Sequence, residues 1–132
     1  MDADIIILGS PVYVGGMTAS MKAFIERAYI VSKVNGQPFK RKIGASVVAA
    51  RRNGGLETFN SLNDFFQIAE MIIVGSSYWN HGVGKEKGEV MDDEEGVSTI
   101  KTLAENMIWT SNKLSVTDDK PMKIKKQKKG KS

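Results

Sequence analysis

A chain of 132 residues, 41% hydrophobic and 26% charged, makes one domain with a core of ordinary globular composition. It has no cysteine, which excludes a disulfide framework, a thiolate nucleophile and a cysteine-held metal or iron–sulfur cluster on these residues. The net charge of +4 is uneven: seven of the 19 basic residues are lysines from Lys120 onward, so positions 1–119 set 12 basic residues against all 15 acidic ones.

The body is therefore mildly acidic, and the high isoelectric point belongs to the tail. No apolar run approaches the ~20 residues of a membrane span. The opening Met-Asp-Ala-Asp is acidic, unlike a signal peptide. A cytoplasmic location is the expectation.

Asp4 to Gly9 reads as the first strand, apolar without alternation, as in a parallel strand covered on both faces. The chain then turns through Ser10-Pro11-Val12-Tyr13-Val14-Gly15-Gly16, and Thr18 opens a helix to about Val31. Met17, Met21, Phe24, Ile25 and Ala28 form its expected core stripe. Asn35 to Pro38 is a turn, and Ile43 to Ala50 a second strand.

Arg51-Arg52-Asn53-Gly54-Gly55 follows as a second loop. A helix from about Leu56 to Ala69 packs through Phe59, Leu62, Phe65 and Phe66. Met71 to Gly75 is the third strand. Ser76 to Gly96 is a long loop with an aromatic and an acidic cluster, and such loops are often functional. Asp92 and Glu95 suggest a capping box. The last helix runs to about Leu114, with Val97, Ile100, Leu103, Ala104, Met107 and Ile108 inward. Positions 1–117 form the domain, and 118–132 a lysine-rich, disordered tail.

The order β-α-β-α-β-α predicts right-handed parallel connections in a three-layer αβα sheet. Ligands of such sheets bind beyond the carboxyl ends of the strands. Three loops lie there. The first offers a rigid Pro11, a flat Tyr13 and glycines that admit close backbone approach. The second offers backbone donors at a helix start and two guanidiniums. The third offers Tyr78, Trp79, Asn80 and His81. Together they suit a planar heterocycle with negative charge.

The run Ile-Leu-Gly-Ser-Pro-Val-Tyr-Val-Gly-Gly-Met-Thr, with Met21-Lys22-Ala23-Phe24-Ile25-Glu26-Arg27, resembles the NAD(P)H-dependent FMN reductases of the flavodoxin-like superfamily. The nearest branch is that of the iron–sulfur flavoproteins. Arg52 to Thr58, Val74 to Asn80 and Asp93 to Gly96 resemble the same branch. The resemblance covers the chain up to about Leu114. It implies a flavodoxin-like fold and FMN as cofactor, with NAD(P)H as co-substrate. Ser10, Pro11, Val12, Tyr13, Val14 and Gly15 would lie along the flavin ring, and Arg51, Arg52, Asn53, Gly54 and Gly55 would wrap its other side. Tyr78 or Trp79 would cover it. No side chain is needed as a catalytic acid or base, and no metal ligand set is expected.

The departure is at the start. Members of the family begin with about two further strands and a Gly/Ser-rich loop for the FMN phosphate at a helix N-terminus. The strands here correspond to the third, fourth and fifth of five, so the fold reads as truncated: either another chain supplies the missing strands, or the sequence is the C-terminal part of a longer protein and Met1 an internal methionine. The strand at Ile5 then has an open apolar edge.

A homo-oligomer or a complementing N-terminal half is the expected partner. The alternatives to the oxidoreductase are a non-catalytic partial chain that pairs with another polypeptide and a flavodoxin-type electron carrier. Residue by residue, Trp79 stays open between flavin cover and oligomer packing. Arg51 and Arg52 stay open between nucleotide binding and a solvated loop. His81 reads as a plain loop residue, since one histidine builds no metal site. Nucleic-acid contact would be confined to the tail.

Overall fold

The computed structural model describes residues 3–115, so the expected tail and its boundary at 117 lie outside the described residues. Strand β1 (Ile5–Pro11) leads to helix α1 (Ala19–Val34), strand β2 (Ile43–Ala50) and helix α2 (Gly55–Ile68). Two short strands follow, β3 (Ile72–Ile73) and β4 (His81–Val83), then a 3₁₀ turn (Glu89–Asp92) and helix α3 (Glu94–Ser115).

All strand pairs are parallel, and β2 is central. It pairs with β1 along seven positions, from Ile5↔Ile43 to Pro11↔Ala49. Its other side is shared. Ile43 and Gly44 face β3, while Val48, Ala49 and Ala50 face β4. The expected strand Met71–Gly75 is thus only two residues long, and the same line of the sheet resumes at His81 after an excursion. His81 is accordingly a half-buried strand residue, not a loop residue.

Side chains alternate across the sheet. On one face, Leu8 and Val48 pack beneath two helices, through Ile25 of α1 and Leu62, Phe65 and Phe66 of α2. Leu62 and Phe66 are fully buried, and each contributes on the order of 1.5–3 kcal/mol by leaving water. A buried Ser46 Oγ donates to Asn63 Oδ1 at 2.8 Å, which fixes α2 on β2. On the opposite face α3 lies alone, its Leu103 and Met107 over Ile43 and Ala45.

Three expected core assignments are corrected here. Phe24 of α1 is 53% exposed, Ile108 of α3 is 59% exposed, and Ala104 of α3 is exposed as well. Each lies on a helix flank that no described element covers. Periodicity identified an apolar side of each helix, and that side is wider than the sheet beneath it.

Candidate functional site

The first loop is framed from both ends. Ser10 is buried, and its Oγ donates to the Pro11 carbonyl at 2.8 Å and accepts from the Thr18 N–H at 3.1 Å. Thr18 Oγ1 in turn accepts from Met21 N–H at 3.1 Å, capping α1 as its sequence implies. Ser10 therefore holds the loop to the helix rather than facing outward.

Between these anchors, Tyr13 and Gly16 exchange both backbone hydrogen bonds, at 2.8 and 3.2 Å. Val14 and Gly15 at the tip have φ of 51° and 79°, the pair of positive angles of a type I′ turn. A β-branched residue is strained there. Val14 is nevertheless fully exposed, and Tyr13 is exposed beside it. Backbone strain of this kind concentrates at functional sites.

The second loop nests against the first. Gly54 has φ of 87°, and a Cβ there would come within 2.7 Å of Val12 Cγ1 and 3.1 Å of Gly15 Cα. Only glycine lets the two loops touch. Gly54 is also the N-cap of α2 and supplies no side-chain cap, so first-turn N–H groups of the helix remain available at the site. Arg51, Arg52 and Asn53 stand exposed just before it.

Tyr78 and Trp79 are placed differently. Their rings meet edge to face, with centroids 4.6 Å apart. They line a cavity with Phe59, Ile73 and Asn80, and a smaller one of about 150 Å³ with His81, Asp93 and Thr99. The cavity that holds Tyr13 and Val14 lies between α1 and α2. Ser10 and Pro11 line yet another, on the α3 face. The structure thus joins the first two loops directly, and the aromatic pair lines other cavities.

Asp93 organises the third region. Its Oδ1 accepts from Gly96 N–H at 3.0 Å and its Oδ2 from Val83 N–H at 2.8 Å. The Gly96 bond, then the Val83 bond, hold its carboxyl below the ordinary range. Asp93, not Asp92, is therefore the cap of α3. Gly96 is required because a Cβ would lie 2.6 Å from Asp93 Oδ2 and 2.9 Å from Gly82 Cα. His81 Nδ1 and Thr58 Oγ1 are buried polar atoms without a hydrogen-bond partner. Thr58 enters the sequence reading only as the end of the run Arg52 to Thr58, and nothing in its spacing marks a buried hydroxyl.

The model of the NADPH-dependent FMN reductase family matches residues 1–86. The chain belongs to that family. Among similar proteins, an iron–sulfur flavoprotein of Methanocaldococcus jannaschii is 39% identical over an alignment of 113 residues that covers 80% of this chain and 58% of the relative. An iron–sulfur flavoprotein of Methanosarcina thermophila is 35% identical over 107 residues, covering 80% of this chain and 54% of that protein. The chain thus spans somewhat over half the length of these relatives.

A flavodoxin, WrbA-like protein from Agrobacterium tumefaciens has the same fold at 18% identity, with a TM-score of 0.58 over 80% of this chain and 69% of that one. The flavodoxin-like α/β architecture expected from the sequence is therefore the one observed. As a family member without cysteine, this chain supplies no thiolate to an iron–sulfur cluster. Among the described residues, no group of histidines and carboxylates could hold a metal ion, and no helix is long and apolar enough to cross a membrane.

Proposed function

We propose that this chain forms the ring-binding part of an FMN-dependent NAD(P)H oxidoreductase. The observation that carries the reading is the joined pair of loops at the carboxyl ends of β1 and β2, with a strained turn at Val14 and an αL glycine at Gly54. Family membership and relatives named as flavoproteins support the same reading.

The residues fit a flavin ring. Tyr13 offers an exposed aromatic face, Pro11 fixes the approach of the backbone, and the uncapped first turn of α2 offers N–H donors to ring oxygens. Bound FMN supplies a two-electron acceptor for the hydride of reduced nicotinamide. The chain's own part is to orient the ring and hold water off one face. Val12 and Val14 give apolar contact, while Arg51 and Arg52 make the loop rim attractive to an anionic nucleotide. Hydride transfer requires no proton donor among these side chains.

Titration of the purified chain with FMN, read by flavin fluorescence, tests the ring site, and NADPH oxidation in the same sample tests the activity. The reading expects quenching that saturates and turnover that depends on added FMN. FMN binding without NADPH oxidation would favour an electron carrier instead. Absence of both, also after addition of the unmatched part of the Methanocaldococcus relative, contradicts the proposal.

A further inference from the structure

We propose that the small cavity between the Tyr78–Trp79 pair and the start of α3 binds a guanidinium group. None of its lining residues belongs to either of the joined loops, so the inference is independent of the flavin reading.

The cavity is aromatic on one side and acidic on the other. Tyr78 and Trp79 meet edge to face, and Asp93 and Glu95 line the same space. His81 completes the wall and is fixed against α2, since a Cβ on Gly55 would lie 3.3 Å from its ring. At about 150 Å³ the space equals that of about five waters. That admits a small planar head group and excludes a flavin.

Thr99 is the observation that carries the reading. It is 2% exposed and still lines the cavity. Two other threonines of α3 return their hydroxyls to the backbone four residues earlier, Thr102 to Ser98 and Thr110 to Asn106. Such back-bonding is how a helical threonine satisfies itself. The Thr99 hydroxyl has no partner among the described residues. A buried hydroxyl left unpaired is costly, and at a cavity wall the N–H of a ligand can pair with it.

The charge balance selects a cation. Asp93 spends one lone pair of each oxygen on the N–H groups of Val83 and Gly96. Those bonds also keep its carboxyl ionised, and Glu95 adds a second negative charge. The N-terminus of α3 opposes them with only about half a positive charge. Among the described residues no group of histidines and carboxylates could hold a metal ion, so these acids suit a ligand of several atoms. A guanidinium is planar, stacks on an aromatic face and carries N–H donors along each edge. An ammonium is a point charge and cannot reach the hydroxyl and both carboxylates together. A free guanidino compound and an arginine side chain share this chemistry.

Trp109→Phe, outside the cavity, leaves Trp79 as the sole tryptophan, and its fluorescence then reports the site. The protein is titrated with methylguanidinium chloride and, separately, with N-acetylarginine amide, at constant ionic strength and without FMN. We expect a change that saturates at roughly millimolar ligand, as suits so small a group. Saturation by methylguanidinium supports the site for a free solute, and saturation by the arginine amide alone supports it for a protein side chain.

Thr99→Val and Glu95→Gln should each weaken binding about tenfold, the loss of one hydrogen bond to a charged group. Glu105→Gln, the same charge loss further along α3, should leave it unchanged. Tetramethylammonium, a cation without N–H donors, should bind about tenfold more weakly. Thr99→Val is nearly isosteric, and its urea midpoint checks the fold; if it unfolds, the exposed Glu95→Gln decides. Saturation by neither guanidinium overturns the proposal, as does unchanged affinity in a folded Thr99→Val or in Glu95→Gln. Equal binding of tetramethylammonium also overturns it, in favour of diffuse attraction to the acids.

Discussion

The two edges of the sheet are built in opposite ways. At β4 the edge is three residues long, and the chain closes it with its own side chain: Asp93 takes the Val83 N–H and, with its other oxygen, caps α3. Gly82 and Gly96 bring helix and strand together there. At β1 the edge is seven residues long and apolar, with Leu8 packed beneath α1 and α2, Ile7 55% exposed, and no further strand beside it among the described residues. Free edges invite association, and proteins ordinarily blunt them. Among the described residues, one side of this sheet carries such a device and the other carries none. The comparison teaches that, among the described residues, a carboxylate closes the sheet at β4 and no side chain does so at β1.

Substitutions that attack one edge should leave the other indifferent. The largest effect is expected for Gly96→Val, whose branched side chain must push α3 off β4 against backbone; overpacking of this kind costs about 3 kcal/mol, read by urea denaturation. Asp93→Ala removes the cap and leaves the Val83 N–H without its acceptor, a loss of about 1–2 kcal/mol.

The same carboxylate sets a pH dependence. Its folded pKa is depressed below the ordinary 3.8, so its contribution is present above that value and is lost as pH falls through the lower native one. Acid titration of stability should therefore lose part of its slope in Asp93→Ala.

A smaller effect of opposite sign is expected at the tip of the loop after β1. Val14→Asn relieves a β-branched residue at φ of 51° and should raise stability by about 0.5–1 kcal/mol. If the tip serves the flavin ring, the same change weakens FMN binding, so the two readouts move in opposite directions. Smallest of all is Ile7→Lys. Because this side chain is half in water already, the isolated chain should lose no more than about 0.5 kcal/mol, although the β1 edge loses its apolar character.

Much of this was legible in the residues, and the failures have physical causes. The strand Ile43–Ala50 was read to its observed ends because an unbroken β-branched and small-residue run lies between a basic turn and a Gly-rich loop. β4 was missed because His81-Gly82-Val83 is too short and too Gly-rich to carry a strand pattern; its pairing comes from β2 and its edge from Asp93. Sequence alone points to Asp92 as the cap because four consecutive acids give no register. What selects Asp93 is the close approach of Gly96 to Gly82, which is tertiary.

Phe24, Ala104 and Ile108 are expected in the core because periodicity reports an apolar flank without saying what covers it. For the site, the Gly15–Gly54 contact was implicit in two glycine loops after successive parallel strands. The burial of Ser10 and the separate cavities of Tyr78 and Trp79 depend on side-chain direction, which spacing alone does not give.

Native-state amide exchange on the chain alone, comparing Val83 with Ile7 and Gly9, tests the contrast between the edges most directly. The account predicts that Val83, bonded to Asp93, exchanges at least about tenfold more slowly than Ile7 and Gly9, whose N–H groups face solvent. Equal protection at the two edges would contradict it.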